Sequence, residues 1–97
     1  MSCDPHARLI RALLAHAGAG ATLARSQAEP WARVTFTGMR HHLAFLVDAA
    51  GADRLGAFAP ERVRVPGHLL VELVEAARAT SPAGMVVEFD ALTLEEG

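Results

Sequence analysis

Trp31-Ala32-Arg33-Val34-Thr35-Phe36-Thr37-Gly38-Met39-Arg40-His41-His42-Leu43-Ala44-Phe45-Leu46-Val47-Asp48 is the stretch that decides the fold. Trp31–Thr37 alternates and is rich in β-favouring side chains, which predicts a strand. His41–Asp48 predicts its partner. Between them Gly38-Met39, with glycine first, fits a two-residue type II′ turn. That turn pairs Thr37 with Arg40, Phe36 with His41, Thr35 with His42, Val34 with Leu43, and Ala32 with Phe45. In this register Ala32, Val34, Phe36, Leu43, Phe45 and Val47 share an apolar face. Trp31, Arg33, Thr35, Thr37, Arg40 and His42 share the other, with Ala44 and Leu46. A slip of one residue would exchange every side chain between the faces, so the apolar pattern specifies the pairing.

Working outward, Asp4 is a good N-cap and Pro5 is suited to a first helical position. Leu9, Ile10, Leu13, Leu14 and Ala17 recur at helical spacing, and Gly18 and Gly20 supply a stop. A helix over Pro5–Ala17 should cover the apolar face of the hairpin. Thr22–Ala28 is a weaker strand candidate, ending at a turn over Ala28-Glu29-Pro30. Ala49–Ala52 reads as a loop and Ala52–Ala59 as a short helix that Gly56 weakens. Arg62–Val65 alternates like a strand and breaks at Pro66-Gly67.

His68–Ala79 fits two patterns. Leu70, Leu73, Val74 and Ala77 make a helical stripe, whereas Val71 and Leu73 flanking Glu72 read as a strand. Met85–Glu95 reads as a strand whose apolar phase shifts at Asp90-Ala91, the mark of a β-bulge. No internal repeat is visible. The fold predicted is α+β: an N-terminal helix packed on a largely antiparallel sheet of four to five strands, with a short second helix.

Ninety-seven residues allow one domain, spanning 1–97. The apolar fraction of 52% and net charge of −2 fit a folded globule and not a disordered chain. No apolar run is long enough to span a bilayer and no secretory leader is visible, which with the single cysteine, Cys3, predicts a cytoplasmic protein. All nine basic residues are arginine and alanine occurs twenty times, a bias that GC-rich coding explains without any nucleic-acid ligand. Residues 1–48 are mildly basic and 49–97 mildly acidic, so the halves should attract each other.

Three segments together resemble a small bacterial family of uncharacterised α+β proteins: Pro30–His41, Val65-Pro66-Gly67-His68-Leu69-Leu70-Val71-Glu72, and Asp90-Ala91-Leu92-Thr93-Leu94-Glu95-Glu96. The resemblance covers most of the chain and implies no activity. It does imply a short helix at Ala52–Ala59 and a strand at His68–Glu75, which tips the ambiguous segment toward strand.

Five histidines invite a metal, but His41 and His42 would point to opposite faces of a strand, and His6 and His16 lie too far apart on their helix. No His-x-x-x-His, Cys-x-x-Cys or Glu-x-x-His spacing occurs, so neither metal nor cofactor is expected. Cys3, Ser26 and Ser81 have no base positioned beside them in sequence, and no nucleophile motif is present. Glu72 with Glu75, or Glu88 with Asp90, read better as solvated faces or partners of arginine than as catalytic pairs.

The best candidate site is the polar hairpin face: Trp31, Arg33, Thr35, Arg40 and His42, joined by Arg25 from the neighbouring strand. Guanidinium forks and an aromatic ring suit an anion or an acidic partner, against the plain alternative that the arginines pair with Glu88 and Asp90. The expectation is a non-enzymatic binding or regulatory protein with a protein partner, or a homodimer. An anionic ligand is the further option, and nucleic acid and membrane are not expected. The alternative is a small enzyme or enzyme subunit acting on an anionic metabolite, which would require a titratable pair such as His42 or His68 beside Glu72 or Glu88 in a deep pocket.

Overall fold

The computed structural model describes residues 4–57 and 65–96, so Cys3 and most of the Arg62–Val65 strand candidate lie outside the described residues. Among these residues two helices and four strands follow in the order α1 (Pro5–Ala17), β1 (Thr22–Ala32), β2 (Thr37–Val47), α2 (Ala49–Gly56), β3 (His68–Ser81) and β4 (Gly84–Glu95). The strands form one antiparallel sheet in the order β1-β2-β4-β3, and both helices lie on the same face of it.

Helix α1 forms where its caps and stripe predict. The Asp4 carboxylate accepts the His6 N–H at 3.0 Å, and Gly18 ends the helix with φ +97°. Leu9, Leu13 and Ala17 are fully buried against Leu43, Phe45 and Val47 of β2 and Val87, Phe89 and Ala91 of β4. Phe45 and Phe89 meet edge to face with ring centres 6.3 Å apart. From α2, Ala52 and Leu55 complete this core, with Val65. The Arg54 side chain donates to the Ala17 carbonyl at 2.9 and 2.6 Å, occupying one acceptor that the end of α1 would leave open. The core therefore sits over the two central strands, and the edge strands β1 and β3 are mostly exposed.

Several sequence expectations are corrected. Glu29-Pro30 does not turn: β1 runs through it to Ala32, and the connection is the four-residue segment Arg33–Phe36 instead of Gly38-Met39. Val34 and Phe36 therefore stand at the exposed tip and not in the core, and β2 starts at Thr37, opposite Ala32. The physical reason lies partly at Gly38. A Cβ there would lie 2.0 Å from the Thr93 carbonyl, so the glycine marks close backbone approach of β4 rather than a turn.

The segment read as a loop at Ala49–Ala52 is the start of α2, capped by Asp48 through the Gly51 N–H at 2.7 Å. His68–Ser81 is a strand. No bulge occurs at Asp90-Ala91: β4 alternates regularly, with Val87, Phe89, Ala91 and Thr93 inward, and Leu92 and Leu94 belong to its outer face. The irregularities are in β1, at Leu23/Arg25, and in β3, at Leu70/Glu72 and Glu75/Ala77. The sheet has four strands, not five, among the described residues.

The structure also contains a repeat that the sequence hides. Helix–strand–strand occurs twice, α1-β1-β2 and α2-β3-β4, and each helix is capped by an aspartate. Strands β2 and β4 are antiparallel neighbours at the centre, with Leu43 opposite Phe89. A two-fold axis normal to the sheet through that pair exchanges β2 with β4, β1 with β3 and α1 with α2.

Candidate functional site

The outer face of the sheet carries neither helix. Cross-strand register arranges it in rows. Trp31, Gly38, Leu94 and Leu69 form one end row, and Thr22, Leu46, Val86 and Ala79 the other. Between them lie Glu29, Arg40, Leu92 and Glu72; then Gln27, His42, Asp90 and Val74; then Arg25, Ala44, Glu88 and Ala77. The face is apolar at both ends and charged in the middle.

Of the predicted site residues, the structure brings Arg25, Trp31, Arg40 and His42 onto this face, while Arg33 and Thr35 fall in the hairpin tip. Arg33 still joins the group, because its guanidinium lies 4.9 Å from the centre of the Trp31 ring. The indole N–H of Trp31 is buried and has no hydrogen-bond partner among the described residues.

The cations are matched by acids. Arg25 bonds Glu88 at 2.8 Å, Arg40 lies 3.8 Å from Glu72, and His42 hydrogen-bonds Asp90. These pairs are all substantially exposed and each contributes little to stability. Their effect is to cancel the positive field that an anion would need. Between Arg25, His42, Glu88 and Asp90 lies a recess of about 90 Å³, well below the several hundred Å³ typical of a small-molecule site. A larger cleft of about 520 Å³ opens between the hairpin tip and the start of β3, lined by Phe36, His68, Glu95 and Glu96 among others. It does not bring His68 beside Glu72 or Glu88. Among the described residues no three metal-binding side chains converge, and no helix is long and apolar enough to cross a membrane.

No protein-family model, curated protein or solved structure matches the chain.

A second cluster lies on the helix-covered face, and sequence reasoning missed it. His41, fully buried, meets His6 with the two Nδ1 atoms 2.9 Å apart, and its Nε2 lies 2.9 Å from the Thr93 hydroxyl. The imidazole planes differ by 7° and their centres are 5.2 Å apart. That separation is the nitrogen–nitrogen distance plus about one ring radius at each end. The rings therefore lie in line, edge to edge, joined by one N–H···N hydrogen bond, and are not stacked face to face. Burial, reinforced by His6, lowers the pKa of His41 to about 4, with His68 acting in the same direction and Asp4 opposing. The available signal was the strand parity that turns His41 toward the helix, with His6 in the first turn above it.

Proposed function

We propose that the chain is a non-enzymatic binding module that engages a protein partner with the uncovered face of its sheet. The supporting observation is the face itself: four paired strands with no helix over them among the described residues and an apolar row at each end. Four strands of about eleven residues present roughly 700 Å² on one side, close to what one partner contributes to a standard interface. Matched charges in the middle can be covered without stranding a bare ion, whereas an anionic ligand would have to compete with Glu72 and Glu88 for the arginines.

The partner that fits is a second copy. A two-fold axis lying across the strands sets the Trp31–Leu69 row of one copy on the Thr22–Ala79 row of the other. It also brings Glu29, which makes no ion pair among the described residues, toward Arg25 of the second copy. Light scattering at micromolar concentration tests this. A dimer of the 10.3 kDa chain is expected. Glu29→Arg should weaken it, and the double exchange Glu29→Arg with Arg25→Glu should restore it. A monomeric wild type rules out self-association, and a dimer indifferent to both Glu29→Arg and Leu69→Glu rules out this face. If the wild type is monomeric, capture of another protein that is lost in Trp31→Ala preserves the binding-module reading.

A further inference from the structure

The repeated helix–strand–strand unit supplies an internal comparison for the histidine cluster. The two-fold that exchanges the halves carries His41 onto Val87 and Thr93 onto Val47, and, with the buried Leu9 of α1 matched to the buried Leu55 of α2, His6 onto Ala52. All three counterparts are buried hydrocarbon, with Val87 0%, Ala52 1% and Val47 3% exposed. The start of α2 rests on its valine: a Cβ on Gly51 would lie 3.1 Å from the Val47 Cβ. At the start of α1 the corresponding places are taken by His41 and Thr93, joined to each other and to His6 by hydrogen bonds. One fold has thus built one junction twice, once from apolar side chains and once from a hydrogen-bonded polar chain.

Burying polar groups costs free energy that apolar side chains do not incur, so the architecture does not require the histidines. We infer that His6, His41 and Thr93 form a proton-binding latch that holds the start of α1 on the sheet and releases it on acidification.

The chemistry follows from counting protons. Two facing Nδ1 atoms share one hydrogen, so one ring donates and the other accepts. Whichever way it runs, Thr93 completes the chain, giving its hydroxyl proton to a bare Nε2 of His41 or accepting from a protonated one. A proton added to His41 places a full charge on a ring with no exposed surface. A second leaves both Nδ1 atoms carrying hydrogens that point at each other, and the bond is lost.

The charged and titratable groups around the pair are Asp4 at the α1 N-cap, which favours the proton, and His68 at the start of β3, which opposes it. Once α1 lifts, the His41 ring meets water and ionises near the ordinary pKa of ~6.5. Opening therefore lets His41 take up a proton, and its equilibrium should shift by up to about tenfold per pH unit below that value. The apolar junction under α2 has nothing to titrate.

The test is amide hydrogen exchange by NMR between pH 7.5 and 5, corrected for the intrinsic pH dependence of exchange. In the wild type, protection of the amides that follow His6 in α1 should collapse on acidification while that of Ala52–Leu55 in α2 persists. The triple variant His6→Ala, His41→Val, Thr93→Val, which copies the other half, should keep α1 protected throughout. Equal pH responses in the two helices of the wild type would overturn the latch, as would an unchanged α1 response in the triple variant. Should that variant not fold, the wild-type imidazole nitrogens decide. Coupled titration below pH ~6.5, with loss of one shared N–H signal, supports the latch, and two independent, ordinary titrations refute it.

Discussion

Arg25 reaches over Ala44 to bond Glu88, so an ion pair at 2.8 Å joins two strands that are not neighbours. Ala44 points to the uncovered side of the sheet and is nonetheless only 1% exposed. The small side chain is what lets the bridge close. Ala44→Leu should break the bridge and crowd the central rows, destabilising the protein by about 1–3 kcal/mol in urea unfolding. Arg25→Ala should cost at most ~1 kcal/mol, because the pair is exposed.

Gly38→Ala should be far more damaging than an ordinary strand glycine substitution. The added Cβ would sit 2.0 Å from the Thr93 carbonyl, so β2 and β4 must separate at the row that also holds Trp31 and Leu94. A loss of about 2–4 kcal/mol is expected in thermal or urea unfolding.

Acid should destabilise the native state across a defined window. His41 is neutral when folded, with a pKa of about 4 against the ordinary 6.5. The unfolded chain therefore binds more protons in between. The contribution is complete above pH ~6.5 and is lost as the pH falls toward 4, amounting to as much as ~3 kcal/mol. Urea unfolding at pH 7.5, 5.5 and 4.5 checks the slope, and His41→Val should flatten it.

Arg33→Ala and Arg40→Ala should each weaken partner capture while leaving the melting temperature nearly unchanged, since both side chains lie outside the core. The loss should shrink as salt rises, because exposed charges are screened over a Debye length of ~8 Å at physiological ionic strength. Trp31→Ala should weaken capture with less salt dependence, as apolar burial is not screened. Removing Arg33 also strips the cation from the Trp31 ring. Pull-downs at low and high salt, beside a melt of each variant, check these outcomes.

Helix α1 was legible because every cue for it is local: Asp4, Pro5, the leucine stripe and Gly18. The faces of β2 were legible because parity alone sets Leu43, Phe45 and Val47 against Arg40 and His42. The hairpin turn was not. Gly38-Met39 carries good turn chemistry, and only the approach of the Thr93 carbonyl from β4, remote in sequence, explains the glycine differently. Leu92 and Leu94 misled for a related reason. An outer row that ends in apolar residues looks like a change of phase when the strand is assumed to have one wet face. Of the candidate site, the residue types and the face of Arg40 and His42 could be read from the chain. Their neutralisation by Glu72 and Asp90 needed β3 and β4 in register, and the in-line bond between His6 and His41 needed a helix placed on a sheet.

The central seam has a kinetic consequence. Each hairpin can zip from its own turn, so β1 with β2 and β3 with β4 form at small loop-closure cost. Joining β2 to β4, from Val47 with Met85 to Gly38 with Leu94, must instead bring two preassembled halves together. That encounter is the step expected to limit the rate of folding. Substitutions at Leu43 or Phe89 should slow refolding, whereas changes of similar cost on the outer strands should mainly hasten unfolding. A chain that builds the same unit twice has, in effect, turned an association of two parts into an intramolecular collision.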